Sequence, residues 1–201
     1  LGTGTVVNDA DLVFDRSDVH TIANLISGFG DVEQAGSGTT IFTADNTYTG
    51  NTTISAGKLQ LGDGGTSGMI GLSNVSNSGT LAFSRSDDIV LTGAISGTGG
   101  IEQAGPGTLR LTAASTYSGG TTVSGGTLAV VVTGAAGTGT LTLAGATTLL
   151  VGHDVTLGNA IQLDGAATIG LAPLEVEYLI VGGGGGGGGS SWNDGGSDTH
   201  D

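Results

Sequence analysis

The sequence contains no cysteine, so neither a disulfide framework nor a thiolate metal site can form. It has two prolines, and aromatic side chains make up 4% of its 201 residues, too few for a conventional globular core. No apolar run approaches the roughly 18 residues of a membrane span, and no signal peptide is visible. The chain opens with Leu1 in the middle of a pattern, so we expect it to be a piece of a longer protein.

Basic residues are also scarce: the chain has four of them against 18 acidic residues, for a formal net charge of −14. The four are Arg16, Lys58, Arg85 and Arg110. Such a chain cannot present a basic patch to phosphates, which argues against nucleic-acid binding. It also disfavours docking on anionic lipid.

What the chain has in abundance is glycine, with 42 residues. Glycine costs about 1 kcal/mol per helical position relative to alanine, so little helix is expected. The remainder is rich in Thr, Val, Ile and Leu, which favour strands. A solenoid of stacked short strands needs only aliphatic side chains inside and tolerates the lack of aromatics.

The sequence also repeats itself. Residues 6–59 align with residues 75–128 at a constant offset of 69, without a gap, and about half of the aligned pairs are identical. A fixed period indicates units that stack and bury a common core. We divide the chain into units at 1–71 and 72–137, and a partial unit at 138–173.

Within each unit, strands of four to six residues alternate with Gly, Asn, Ser and Asp turns, and apolar residues alternate with polar ones. Three rungs of about 23 residues would fill the period, giving roughly seven rungs in which each residue stacks on its equivalent. The predicted inward residues are Leu12, Phe14, Ile26, Val32, Phe42, Ile54, Leu59 and Leu61, with counterparts Leu81, Phe83, Ile95, Ile101, Leu111, Val123, Leu128 and Val130.

Two residue types mark the expected corners of the rungs. Six glycines of the first unit recur at the equivalent positions of the second, and we expect them to need positive φ angles. They are Gly28, Gly30, Gly36, Gly38, Gly50 and Gly57. Tyr48 and Tyr117 are expected to cover a corner with the ring packed and the hydroxyl in water.

The last segment, 174–201, differs in character. Residues 174–181 alternate like a strand and run into eight consecutive glycines, 182–189. A polyglycine run is typical of a flexible linker. We expect instead an extended segment ordered against a solenoid edge, in this chain or in a neighbouring copy, because glycine permits close backbone approach.

The segments GSGTTIFTADNTYTGNTTISAGKLQLG (36–62) and GPGTLRLTAASTYSGGTTVSGGTLAV (105–130) resemble the autotransporter passenger-associated β-strand repeat. Departures from that motif are Thr40 for leucine, Ala44 and Ala113 for glycine, and Ser115 for asparagine. The resemblance implies a right-handed parallel β-helix over residues 1–173 and the stalk of a type V secreted bacterial surface protein. The glycine-rich end is similar to such segments of other bacterial surface proteins.

Catalytic candidates are few. Polysaccharide-active β-helix enzymes carry an acidic cluster with a basic residue, and the nearest match is Arg85 with Asp87 and Asp88, with Asp154 further along. Arg16 and Asp18 occupy the same place in the first unit. A feature present in both units is better explained as a surface salt bridge or turn brace. We therefore predict no catalytic residues.

No metal site or cofactor is predicted either. His20 aligns with apolar Ile89 and is expected to be a partly buried rung residue, while His153 and His200 have no partner at ligand spacing. Residues 193–198, Asn-Asp-Gly-Gly-Ser-Asp, are weakly similar to a calcium-binding turn, but a solvated acidic tail is the preferred interpretation. The Thr52–Thr53 and Thr121–Thr122 pairs are too sparse for an ice-binding ladder.

The preferred hypothesis is a non-enzymatic stalk or adhesive scaffold of a secreted or surface-anchored bacterial protein, located extracellularly at the outer membrane. Its expected partners are neighbouring repeats, other copies of itself, and a host or matrix surface. One alternative is a subunit of an extracellular filament whose ends stack head to tail. A polysaccharide-active enzyme is the least favoured alternative.

Overall fold

A computed structural model describes residues 2–71 and 73–173 of the chain. These residues form twenty short strands and no helix, and every strand pair is parallel. The strands wind into a solenoid of about eight rungs, because its longest sheet has eight strands. The predicted parallel β-solenoid is confirmed.

The solenoid has three faces. The first face holds β2 (Asp11–Phe14), β5 (Asp31–Gln34), β7 (Thr52–Ile54), β9 (Val75–Asn77) and β12 (Ile95–Ser96). The second holds β3 (Val19–Ile22), β6 (Thr39–Phe42), β8 (Lys58–Leu61), β10 (Thr80–Phe83), β13 (Gly100–Gln103), β15 (Thr121–Val123), β17 (Leu141–Ala144) and β19 (Ile161–Asp164). The third begins with β1 (Val6–Val7) and β4 (Ile26–Ser27) and ends with β11 (Ile89–Leu91), β14 (Thr108–Leu111), β16 (Thr127–Val130), β18 (Thr148–Val151) and β20 (Thr168–Leu171).

The strand registers give the length of a rung. Most stacked partners differ by 20 in residue number, as in Val32 over Thr52 and Leu81 over Ile101. The spread runs from 19 for Thr39 and Lys58 to 23 for Thr52 and Val75. Most rungs are therefore shorter than the predicted 23 residues, and each repeat holds slightly more than three of them. The longer rungs are those that contain residues 62–68.

The internal repeat consequently does not equal a whole number of rungs. Starting at Val32, the first face rises through Thr52 and Val75 to Ile95, which is three rungs. The equivalent of Val32 is Ile101, which lies beyond Ile95 on the second face. Every strand of the first unit is displaced by one face in the second, so equivalent residues do not stack on each other. The expectation that they stack is wrong.

The inward set is confirmed. Fifteen of its sixteen members are buried, and Leu12 is partly buried against them. The rings of Phe14, on the first face, and Phe42, on the second, meet edge to face across the interior with centroids 5.7 Å apart. Aliphatic side chains from three faces thus fill a narrow core that needs few aromatic residues.

Two glutamines are buried in this core. Gln34 donates from its amide to Gly36 O at 2.8 Å, and its Oε1 accepts from the Thr40 hydroxyl at 2.6 Å. Gln103 likewise donates to Gly105 O, but its Oε1 has no partner because Leu109 stands where Thr40 does. The departure from the repeat motif at Thr40 therefore has a structural role: it supplies the donor that a buried amide oxygen requires.

The expectation that the six corner glycines need positive φ angles holds for only two of them. Gly28 and Gly57 do have positive φ angles, of 105° and 61°. The other four do not, so a positive φ is not what selects them. A Cβ at any of these four positions would lie 1.9–2.2 Å from a backbone carbonyl oxygen of the rung below, closer than real atoms approach. The four are Gly30, Gly36, Gly38 and Gly50.

The final rung is less covered than the others. Ile161, Leu163, Ile169 and Leu171 occupy inward positions but are 42–63% exposed. In the part of the chain that the structure describes, no helix is long and apolar enough to be a membrane span. The predictions for the strand 174–181, the glycine run 182–189, the calcium-like turn 193–198 and His200 lie outside the described residues, and the division into units stays a prediction.

Candidate functional site

Arg85 is the centre of the densest charged cluster among the described residues. It follows β10 at a corner, and its side chain is 7% exposed. Its guanidinium binds Asp87 with both ends, through Nε–Oδ1 at 2.8 Å and Nη2–Oδ2 at 2.7 Å. Nη1 donates to Asp45 Oδ1 at 3.0 Å, and Nη2 also donates to the Thr66 carbonyl oxygen.

These contacts hold the extra residues of the long rung in place. Asp45 Oδ1 accepts from Gly68 N at 2.9 Å as well as from Arg85, so the carboxylate joins residues 62–68 to the guanidinium. Hydrogen bonding to Arg85 lowers the pKa of Asp87, and the same bond raises the pKa of Arg85 itself. Both groups stay charged around neutral pH, so this ion pair can act as a structural clamp, a fixed contact that holds residues 62–68, and it supplies no general acid or base.

The first unit offers the matching comparison. Arg16 binds Asp18 in the same bidentate way, at 2.8 and 2.7 Å, but its side chain is 51% exposed. The two predicted alternatives are thus divided between the units: Arg16 forms a surface salt bridge, whereas Arg85 is a buried turn brace. The difference arises from residues 62–68, which cover Arg85.

The other members of the sequence-based acidic cluster do not join this clamp. Asp88 Oδ1 accepts from Thr108 N at 3.0 Å on an exposed corner. Asp154 is exposed and, with the neighbouring His153, lines a separate cavity of about 320 Å³ beside Val131 and Ala172. The cluster thus provides one cation with two carboxylates on it, not a carboxylate pair open to substrate.

The histidines lie where the sequence places them. His20 is partly buried on β3, stacked beneath Thr40, as predicted, and His153 is exposed at a turn. Within residues 2–71 and 73–173, no three His, Asp or Glu side chains are grouped closely enough to hold a metal ion.

The prediction that the hydroxyls of the two equivalent tyrosines contact water is wrong. Tyr48 and Tyr117 are 1% and 0% exposed, and each hydroxyl bonds a threonine in the strand that follows it. The distances are 2.6 Å to Thr52 Oγ1 and 2.5 Å to Thr121 Oγ1. Burial raises the pKa of both phenols to about 12. Thr52 and Thr121 face inward, so only one member of each threonine pair can reach the surface.

The outer surface of the first two rungs carries a patch that sequence reasoning missed. Four apolar and four acidic side chains face outward around the corner between the third and first faces, and we name this set the acidic–apolar corner. Its members are Val7, Val13, Leu25 and Phe29, and Asp9, Asp11, Asp31 and Glu33. Comparing the outward positions of the two units would have revealed it, because the second unit has Ser76, Ala82, Ala94, Thr98, Ser78, Thr80, Gly100 and Glu102 there.

The molecule is a parallel β-solenoid stabilised by stacking of its rungs. Arg85 holds one corner in place, and the outward-facing residues differ between the two units. Comparison with known proteins agrees with this class. The model of the passenger-associated-transport-repeat family matches residues 32–61 and 101–130, one segment in each unit of the internal repeat. Two segments of the chain therefore match this repeat, and the resemblance seen in the sequence is confirmed.

One relative is the adhesin BmaC autotransporter of Brucella suis biovar 1 (strain 1330). It is 40% identical over 133 residues, which are 66% of this chain and 4% of the relative's length. The chain thus spans a small fraction of that protein. No solved structure matches the chain.

Proposed function

We propose that this chain is a rigid, non-enzymatic segment of the passenger of an autotransporter-like adhesin, exposed on the bacterial surface. The observation that carries the proposal is the unbroken register of the second face, where eight parallel strands stack from β3 to β19. At about 4.8 Å per rung, these strands make a rod of roughly 35 Å whose backbone hydrogen bonds run along its axis. Such a segment can hold an adhesive surface away from the membrane.

A scaffold role is also supported by what the two units keep in common. They share the buried glutamines, the tyrosine–threonine pairs and the stacked glycines, all of which serve the interior. Exposed positions differ between the units, as at Phe29 and Thr98. Retention of the interior with variation of the exterior favours a framework that presents different surfaces.

The non-enzymatic part of the proposal has its own support. The charged cluster at Arg85 is used internally, and the relative is an adhesin by name. Incubation with pectins, alginates and other glycans should release no more reducing ends than a buffer blank. A rate that Asp87→Asn abolishes would revive the enzyme hypothesis.

The adhesive part is tested by display. The full chain is fused between a signal peptide and an autotransporter barrel, and surface exposure is measured by antibody binding to whole cells. We expect displaying cells to bind host-cell monolayers or matrix-coated wells above a barrel-only control. A displayed, folded chain that confers no binding would show that this segment is a spacer without adhesive surface.

A further inference from the structure

We propose that the acidic–apolar corner is a docking surface for an extended segment of a partner protein that presents basic and apolar side chains together on one face. This proposal rests on the proposed function in one respect: the rod must be exported for its surface to meet proteins outside the cell. The corner itself is defined by contacts within this chain.

Register and one hydrogen bond place most of these side chains at neighbouring positions on the two rungs. Register places Val7 beside Ser27, Asp11 beside Asp31 and Val13 beside Glu33 on adjacent strands. Asp9 Oδ1 accepts from the backbone N–H of Phe29 at 3.2 Å, which joins the two strand pairs around the corner. Outward side chains along the first rung therefore read apolar, acidic, acidic, apolar, with Phe29 on the next rung beside Asp9.

Most of these side chains are not needed to build the corner, although Asp9 and Asp31 accept hydrogen bonds from the backbone N–H groups of Phe29 and Asn51. The second unit builds the equivalent corner on the same backbone with mainly Ser, Thr, Ala and Gly, and there the positive φ of Gly28 recurs at Gly97, at 106°. Phe29 is 81% exposed and Val7 is 71% exposed. A large exposed aromatic ring within a contiguous patch is characteristic of interaction surfaces rather than of solvated corners.

The charges indicate the chemistry of the partner. Asp11 and Asp31 lie directly opposite each other, and like charges in that position repel. A cation between them would relieve this repulsion, and the described residues hold no group of three ligands for a metal ion. Lysine or arginine side chains of a partner fit best, with apolar side chains against Phe29 and Val7. The corner has four carboxylates, and three of them accept hydrogen bonds from uncharged groups of this chain. Its counterpart has only Glu102, which is paired with Lys58 at 2.7 Å.

The test uses a labelled synthetic peptide, Leu-Ser-Lys-Ser-Lys-Ser-Leu, which in extended form presents Leu, Lys, Lys and Leu on one face. Binding is measured by fluorescence anisotropy on the full chain in physiological salt. Two variants are compared. Asp11→Asn with Asp31→Asn removes two charges and keeps an oxygen for the Asn51 N–H, and Val7→Ser with Phe29→Thr introduces the residues of the second unit. We expect each to weaken peptide binding at least fivefold while far-UV circular dichroism and Tm stay as in the parent chain. The charge-matched control is Asp63→Asn with Asp154→Asn, two exposed carboxylates elsewhere on the rod, and it should bind within twofold of the parent.

Equal weakening by the corner and control pairs would overturn the proposal, because binding would then follow net charge alone. Unchanged binding in the Val7/Phe29 variant would also overturn it. A peptide of the same composition, Ser-Leu-Lys-Leu-Lys-Ser-Ser, places Lys and Leu on opposite faces when extended and should bind more weakly. Displayed cells distinguish failure of the docking proposal from failure of the proposed function. Adhesion that survives both corner variants would contradict the docking proposal and leave the adhesive scaffold in place. Corner-dependent peptide binding without adhesion would contradict the adhesive function and leave the docking surface in place.

Discussion

Arg16 and Arg85 show how one residue can have two structural roles in two copies of the same motif. Each binds the aspartate two positions further along the chain, but only Arg85 also binds Asp45 and the Thr66 carbonyl, beneath residues 62–68. Burial and the number of hydrogen bonds, not the motif, determine what each guanidinium contributes.

We expect Arg85→Ala to lower the free energy of unfolding by about 1–3 kcal/mol, because it removes several charge-assisted hydrogen bonds from a covered site. Arg16→Ala is the matched control and should leave the Tm unchanged within error, because Asp18 is exposed and water replaces the lost hydrogen bonds. Because the pKa of Asp87 is lowered in the folded chain, its stabilisation is present above about pH 4, the ordinary aspartate pKa, and is lost as the pH falls through the lowered value. Denaturant melts from pH 3 to 7 should show the Arg85→Ala deficit shrinking at the acidic end, and a deficit that grows there would contradict the clamp.

The tyrosine–threonine pairs give a second prediction at this scale. Tyr48→Phe should cost about 1–2 kcal/mol, since the buried Thr52 hydroxyl loses its partner, and Tyr48→Phe combined with Thr52→Val should recover part of that loss. With a folded pKa of about 12 against an ordinary value of 10, the phenol's contribution is complete below about pH 10 and is lost as the pH rises through 12. Absorbance titration of the phenolate band should leave at least two tyrosines protonated at pH 11 in the folded chain. Full ionisation at pH 11 without unfolding would contradict the buried geometry.

At the scale of the strand, the alternation of inward and outward residues determines stability. Leu59→Asp or Ile95→Asp should each cost several kcal/mol, about 3 or more, because an unpaired carboxylate would enter an apolar stack. Val90 faces outward on β11 and is 48% exposed, so Val90→Asp is the matched control and should have little effect. Comparable losses of Tm in all three variants would count against the assignment of faces.

The corners between strands depend on close backbone approach. A Cβ on Gly36 would lie 2.1 Å from Arg16 O, whereas one on Gly4 would meet nothing within 4 Å. Gly36→Ala should therefore destabilise by about 1–3 kcal/mol, the usual cost of overpacking, and Gly4→Ala by less than about 0.5 kcal/mol. Urea melts of the two variants measure the difference. A tolerated Gly36→Ala would mean that adjacent rungs can separate locally.

Sequence reasoning reached the fold class and the inward set because both follow from short-range patterns: period-two alternation and turn residues at fixed offsets. It did not reach the rung length, because the repeat period is a property of the sequence and the rung length is a property of how strands pair. Thr52 is only four residues from Tyr48, on the other side of a corner, so it could have been proposed from the sequence as the partner of the hydroxyl. The burial of Arg85 could not be foreseen, since it depends on Asp45 and Thr66 from neighbouring rungs.

For the whole molecule, the register predicts which internal deletions are tolerated. Removing residues 101–120, a single rung, joins Gly100 to Thr121, and both flanking strands stay on the second face with inward positions in phase. We expect this variant to melt cooperatively with a modest loss of Tm. Removing residues 101–123 instead also deletes the second-face strand, because Gly100 is then joined to the corner that begins at Ser124. That chain has a gap in the second face and should aggregate or unfold. Scanning calorimetry compares the two, and equal stability would contradict the register.

The offset between repeat and rung has a consequence for how a gene encoding such rods can change. Recombination between copies adds or removes one whole repeat at a time, and the joined sequence continues the pattern without a break. Each such event lengthens or shortens the rod by three rungs and one face, about 16 Å at about 4.8 Å per rung, and also turns everything beyond it by about one third of a revolution. Duplication therefore alters the direction in which the distal part of the molecule points as well as its reach, and only after three events does the original orientation return.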